Sequence, residues 1–293
     1  MVAYVIKAGK PRGVVPIWNG GRMPLSSELA DSVLSMISQA AQGCYDEPEL
    51  QAARGMLETQ AALSRLPSAG RLLVERFRSR EGHHLFVYPF AGRNVHIGLA
   101  GLLGWRLARR CANTFSISVN DYGFELLAAQ PLDLSALNDP GEEGLLTEHH
   151  LLSDVLASLN ARELAQRRFR EIARIAGLVF TGYPGAPKAM RQIQASSSLF
   201  YEVFRKYDGG NRLLAQSETE VLSQELEIGR LAATLTRLRQ QSLDIVELKV
   251  PSPFALPLMV ERFREKLSTE KLTERLERIL RDADRELGLP VAP

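Results

Sequence analysis

The sequence predicts an α+β protein: a β-barrel-like, antiparallel sheet portion with packed helices, followed by a mainly helical C-terminal half. Strand-like alternation is concentrated in the first 130 residues. Beyond residue 145 apolar residues recur mostly at helical spacing, and no regular strand–helix rhythm suggests a parallel sheet.

The elements follow in order. Ala3–Ala8 and Val14–Trp18 look like strands around the turn Gly9-Lys10-Pro11-Arg12-Gly13. Pro24-Leu25-Ser26-Ser27-Glu28 introduces a serine-capped helix to about Gln42, and a second helix runs from Glu47 to Ser64 with Pro48 in its first turn. Arg71–Arg80 alternates apolar and charged residues, as a half-solvated strand does, and Leu85–Phe90 is a more apolar strand. Asn94–Arg110 is a helix carrying Gly98, Gly101 and Gly104. Thr114–Val119 and Phe124–Ala128 flank the hairpin turn Asn120-Asp121-Tyr122-Gly123. Pro, Asp and Gly cluster from 131 to 144, the expected linker between a sheet-containing part, 1–130, and a helical part, 145–293. The helical part comprises 147–159, 161–176, 187–207, 213–226 and 230–240, a strand over Leu243–Val250, and helices over 256–267 and 269–287. Because the chain starts abruptly on a strand-like segment, its first part is expected to be the end of a domain that begins upstream.

Composition is that of an ordinary globular protein, 45% hydrophobic and 24% charged. No apolar run approaches the ~18 residues of a membrane span. The N-terminus lacks signal-peptide features, and Cys44 and Cys111 have neither metal-like nor redox-like spacing. A cytoplasmic protein with no membrane partner is expected. The net charge of +2 conceals blocks: +7 over residues 65–110, −8 over 111–160 and +6 over 161–213. Two basic blocks around an acidic one fit a polyanion track, and they equally fit pairing of the blocks within the molecule.

Each of the three helix glycines costs about 1 kcal/mol relative to alanine, so close packing against the neighbouring sheet and hairpin is expected to compensate. The first turn, Gly92 to His96, is a candidate phosphate contact through Arg93 and His96, because unpaired N–H groups there favour an anion. The segment Gly182–Gln192 makes the same case independently. It starts a helix with Lys188 and Arg191 near the N-terminus, where cations oppose the helix dipole unless an anion binds, and Tyr183 stands beside them. Trp18, at a glycine turn beside Arg22, is either a platform for an unpaired base or a core plug. Trp105, among Leu102, Leu103 and Leu107, reads as core. The arginines of 161–176 bind phosphates or form a solvated face.

Catalytic motifs are scarce. There is no phosphate-binding GxxxxGK[ST] loop and no GxGxxG after a strand. Asp244, Glu247 and Lys249 on one strand are an acid-x-Lys pattern that could serve a metal-dependent nuclease, or the solvated face of an edge strand. Asp121 and Glu125 could pair as acid and base, although Asn-Asp-x-Gly is first of all turn chemistry. No catalytic residue and no metal ligand is assigned.

Four blocks together carry a resemblance: PIWNGGRMPLSSELA (16–30), HLFVYPFAGRNVHIGLAGLLGWRLAR (84–109), TFSISVNDYGFELL (114–127) and RQIQASSSLFYEVFRKYD (191–208). They resemble the C-terminal, DEAD/H-associated region of large helicase-related (Lhr) proteins, and more narrowly the bacterial ligase-associated DEXH-box DNA helicases. The resemblance implies two ATPase domains upstream, holding ATP and Mg, and a β-barrel-containing domain that closes around the tracked strand. It implies a parent that moves 3′-to-5′ on single-stranded DNA in DNA repair, with this chain as the accessory module that binds and guides the strand. No cofactor is expected in this stretch, which is not expected to be catalytic alone. A strand-stacking tryptophan of the family would map onto Trp18. Expected partners are single-stranded DNA or a 3′-tailed duplex, the upstream helicase domains in cis, and DNA ligase or a nuclease. The alternatives are a nuclease or other DNA-processing domain, or a docking platform for a ligase or nuclease.

Overall fold

The computed structural model describes residues 23–137, 139, 141–180, 182–183, 186–265 and 272–287. The strands expected at 3–8 and 14–18, together with Trp18 and Arg22, lie outside the described residues. The α+β class holds. The elements are α1 (Ser27–Ala41), α2 (Pro48–Leu63), β1 (Arg71–Ser79), β2 (Gly82–Val87), α3 (Arg93–Arg110), β3 (Phe115–Val119) and β4 (Phe124–Ala128). There follow α4 (Leu151–Ala157), α5 (Leu159–Ile175), β5 (Gly182–Tyr183), β6 (Ala186–Pro187), α6 (Met190–Tyr207), α7 (Arg212–Glu220), α8 (Ile228–Gln240), β7 (Ser242–Leu248), α9 (Ala255–Glu265) and α10 (Leu272–Glu286).

Local chemistry accounts for the boundaries. Ser26 caps α1 by accepting a hydrogen bond from the Leu29 amide at 3.2 Å, and Pro48 opens α2 where no amide is needed. The expected helix 213–226 divides into α7 and a π turn at Val221–Glu225, after which Glu227, in the left-handed region, starts α8. The apolar run 85–90 outlasts its strand. After Val87 the chain turns through Pro89 and Phe90, whose φ is +51°, and Tyr88 and Phe90 enter the core from outside the sheet.

The five-stranded sheet runs β3-β4-β2-β1-β7. β1 to β4 are antiparallel neighbours, as expected, but β7 joins parallel to β1, with Leu73 opposite Asp244 and Val74 opposite Ile245. Among the described residues the sheet is therefore mixed and open, with β3 and β7 at its edges, and not barrel-like. The helices from α4 to α8 form the long crossover that a parallel strand requires.

Period-two alternation divides the core between two faces. Leu72, Val74, Leu85, Val87, Phe124 and Leu126 meet the buried face of α3 and residues of α4 to α8. Leu73, Phe86 and Tyr88 on the other face meet α1, α2 and α9 through Leu34, Leu50, Leu57 and Leu258. The first core draws on both halves of the chain. It also takes in Ala136, Leu137, Leu145 and Leu146, so the stretch read from its composition as a linker is anchored against the sheet-bearing part.

Arg106 of α3 fastens that stretch. Its Nε donates to Asp154 at 2.9 Å, Nη1 donates to the carbonyls of Leu145 and Thr147, and Nη2 donates to that of His149. Removing one partner of a nearly buried pair leaves the other charge stranded, which costs about 3–5 kcal/mol. Arg106→Met is expected to lower unfolding free energy by roughly that amount, read by urea denaturation. A loss under about 0.5 kcal/mol, the range of exposed ion pairs, would show that the contact is dispensable.

Candidate nucleic-acid interface

The first turn of α3 folds around an internal anion. Gly92 has φ +85°, and a Cβ there would stand 2.5 Å from the Leu25 carbonyl oxygen, so only glycine fits. The carboxylate of Asp121, from the β3–β4 turn, accepts from the amides of Arg93 at 3.1 Å and Leu25 at 3.2 Å. It thereby occupies the anion position that the helix N-terminus offers. The Arg93 guanidinium lies 3.9 Å from the same carboxylate and is 22% exposed. The expected phosphate contact at this turn is thus satisfied from within the molecule.

His96 is corrected most clearly. It has no exposed surface. Its Nε2 accepts from the Ala91 amide at 3.0 Å, so Nδ1 carries the proton and donates to the Asn120 carbonyl at 2.7 Å. Burial pushes its pKa down to about 4. A neutral, enclosed imidazole that joins the 91–96 turn to the hairpin offers nothing to a phosphate.

The other expected cluster comes together at the surface. β5 and β6 form a two-residue hairpin in which Tyr183 pairs with Ala186. Tyr183 is 72% and Phe180 50% exposed, and their rings meet edge-on at 5.0 Å. Lys188 places its ammonium 5.0 Å from the centre of the Phe180 ring. α6 then starts at Ala189 with no side-chain cap and no acid in its first turn, and Arg191 is exposed there. Lys188 and Arg191 form no ion pair among the described residues. Tyr183, Lys188 and Arg191 are thus neighbours on one surface, and Phe180 is the member that the sequence reading missed. Its only sequence signal was an aromatic three residues before Tyr183.

The acid-x-Lys strand is differently engaged. Asp244 of β7 pairs with Arg65 at 3.0 Å and lies 4.0 Å from Arg71, while Glu247 pairs with Arg76 at 2.7 Å. Among the described residues no group of three or more His, Cys, Asp or Glu is placed to hold a metal ion. Asp121 and Glu125 are not a pair either: the first caps α3, and the second is buried against His84 and Arg262. No helix among the described residues is long and apolar enough to cross a membrane.

Comparison with known proteins gives this open mixed sheet, with its helical crossover and exposed aromatic–cationic hairpin, a family. A family model described as DEAD/H associated matches residues 66–255, and the chain belongs to that family. It is 24% identical over 276 residues to ATP-dependent helicase Lhr-Core protein 2 of Thermococcus barophilus, covering 88% of this chain and 31% of that protein. It is 23% identical over 303 residues to ATP-dependent helicase Lhr-Core of Methanothermobacter thermautotrophicus, covering 95% and 34%. Among solved structures, Mycobacterium smegmatis helicase Lhr bound to ssDNA and AMP-PNP superposes with a TM-score of 0.63 at 23% identity, over 85% of this chain and 33% of that one. That likeness establishes a shared fold. The chain spans about a third of the length of the curated relatives it matches.

His96 makes stability depend on pH. Its folded pKa of about 4 lies below its ordinary 6.5, so between these values the unfolded chain binds a proton that the folded chain refuses. The contribution is complete above pH 6.5 and lost as pH falls toward 4, amounting to about 3 kcal/mol. Urea denaturation across this window should show a shallower decline for His96→Gln than for the parent. Parallel curves would contradict the assignment.

Proposed function

We propose that this chain is the nucleic-acid-binding accessory region of an ATP-dependent DNA helicase of the Lhr kind, holding and guiding the single strand along which the parent moves 3′-to-5′. The observation that carries the reading is the exposed cluster of Phe180, Tyr183, Lys188 and Arg191. Exposed rings offer bases a sequence-tolerant stacking surface, and cations at a bare helix N-terminus are relieved by a phosphate. The similarity to Lhr-Core helicases supports the parent's class. ATP and Mg belong to helicase domains outside this stretch, and DNA repair is the process in which the parent acts.

The proposal predicts binding that weakens steeply with salt, because phosphate contacts release counterions. Lys188→Ala and Arg191→Ala should each weaken binding of 3′-tailed DNA about equally for every sequence, and each should reduce the salt slope by about one. Tyr183→Ala should cost about 1–3 kcal/mol. Fluorescence anisotropy at several salt concentrations measures all three. An absence of affinity at low salt, both for this chain and for the chain joined to its helicase domains, would sink the proposal.

One observation favours a docking role alongside DNA binding. Leu199, Val203 and Tyr207 recur along a single face of α6, and all three are exposed. The helicase domains in cis, or a ligase or nuclease partner, would cover this stripe. Val203→Glu should weaken that association, measured by calorimetry against the separated partner, while DNA affinity of the isolated chain stays as it was. An unchanged association constant would remove the stripe from the interface.

A further inference from the structure

A second face of α3 runs beside the core, with Gly101 and Gly104 buried on it and Ile97 packed against the core cluster. Arg93, Ile97, Gly101, Gly104, Trp105 and Ala108 follow one another along it and line a groove of about 850 Å³. Edge strand β3 forms the facing wall with Phe115 and Ile117, and Arg167 of α5 and Glu261 of α9 complete the lining.

The glycines separate packing from this groove. At Gly98 an added Cβ would lie 3.1 Å from Leu231 of α8, so close helix packing holds that position small. At Gly104 the nearest atoms would be the Phe115 ring at 3.8 Å, an ordinary contact. Alanine fits there and would favour the helix by about 1 kcal/mol. Packing against the sheet does not require Gly104, whereas a groove floor beside Trp105 does benefit from a missing side chain. The expected packing of the helix glycines against the sheet and hairpin is corrected: the close approach is at Gly98, against α8 instead, while Gly104 faces the sheet at ordinary contact distance.

Trp105 is the second feature. Read from the sequence as core, it is only half-buried, and Arg109, one turn later, places its guanidinium carbon 4.8 Å from the indole centre. The groove thus offers a large aromatic face with Arg109 stacked on Trp105, exposed Arg167 in the lining, and Arg93, beside Asp121, at the far end. The Nε of Arg93 is buried and has no hydrogen-bond partner. With Arg93 held by Asp121, the guanidiniums of Arg109 and Arg167 against the carboxylate of Glu261 favour an anion. The indole among them favours a planar group, and together they match a chain of phosphates and bases. The twelve helical steps from Arg93 to Trp105 span ~18 Å of helix, which at ~3.4 Å per stacked nucleotide accommodates about five.

We propose that this groove is a second binding site for single-stranded nucleic acid, in which Trp105 stacks on a base and Arg109 and Arg167 hold the flanking phosphates. The inference rests on the reading of the chain as a nucleic-acid-binding region, and adds a site separate from the hairpin cluster.

The chain has two tryptophans, so a Trp18→Phe background leaves Trp105 as the sole indole emitter. The test titrates that protein with a 15-nucleotide oligothymidylate labelled for anisotropy, reading anisotropy and tryptophan emission together. The expected result is quenching of emission in step with binding, a loss of affinity of roughly 5- to 150-fold for Trp105→Ala, and recovery of most of it in Trp105→Phe. Phenylalanine keeps the stacking face, and the emission readout needs no mutation at Trp105, so misfolding of the alanine variant cannot decide the outcome. If anisotropy reports binding while emission stays constant and Trp105→Phe and Trp105→Ala bind alike, the groove is overturned and the hairpin site stands. If anisotropy reports no binding under any salt condition for the chain with both tryptophans either, the broader reading falls, and the groove with it.

Discussion

Two carboxylates sit inside the sheet's second face, and the geometry of that face follows from the need to satisfy them. Glu75 of β1 and Glu125 of β4 flank Phe86 of β2 in one cross-strand row, and neither has exposed surface. A buried carboxylate without donors costs several kcal/mol, so each recruits partners from distant parts of the chain. Glu75 accepts from Gln60 of α2, from the Tyr88 hydroxyl and from Ser252 ahead of α9. Glu125 accepts from His84 at 2.7 Å, from Ser118 of β3 and from Arg262 of α9. Burial alone would raise the Glu125 pKa, but the His84 hydrogen bond and the Arg262 charge outweigh it and hold the carboxyl below its ordinary range. Helices from both ends of the described chain are thereby tied to one row of the sheet. Such networks specify an arrangement more than they stabilise it, because apolar residues of similar shape would often serve stability as well.

With the sheet fixed in this way, the basic blocks take different roles. The arginines of 65–110 are largely engaged within the protein: Arg65 and Arg76 with the acids of β7, Arg93 with Asp121, and Arg106 with Asp154. The acidic block that follows them in sequence supplies two of those partners, so pairing between blocks accounts for much of their opposition. Lys188 and Arg191, in the second basic block, stand instead on an exposed surface beside aromatic rings. A count of charges along the chain does not separate these two cations from Arg168, Arg174 and Arg205 of the same block, which pair with Glu220, Glu171 and Glu202.

What was legible in the sequence follows the physics of each signal. Periodicity and caps are local, so α1, α2, α3 and the β3–β4 hairpin stand close to their expected limits. Partnership is not local. The pattern over 243–250 identified a strand, found at Ser242–Leu248, without revealing that it would lie parallel to β1 and make the sheet mixed. The strands of β5 and β6 are two residues each, too short to show any period. His96 failed as a phosphate contact because residue type cannot distinguish a surface imidazole from a neutral one enclosed between Ala91 and Asn120. Asp121 was recognised as a turn former, and its second use as the cap of α3 depends on a contact 28 residues away. Trp105 erred in the opposite direction, since leucines surrounding a tryptophan in sequence do not surround it in space.

The position of α5 connects the two surfaces assigned to nucleic acid. It packs against both α3 and α6. Arg167 contributes to the groove, while α6 begins beside Tyr183, Lys188 and Arg191. A strand held both in the groove and at the hairpin would run near α5, where Arg174 pairs with Glu171 at 2.7 Å and Arg170 has a buried Nε with no hydrogen-bond partner. Two open readings of the α5 arginines, phosphate contacts or a solvated face, thus become linked to the groove. If Trp105 stacks on a base while Lys188 holds a phosphate of the same strand, α5 lies between fixed points on one polyanion. Arginines in that position experience the strand's potential even without direct contact, because a Debye length of about 8 Å at physiological salt is comparable to a helix diameter.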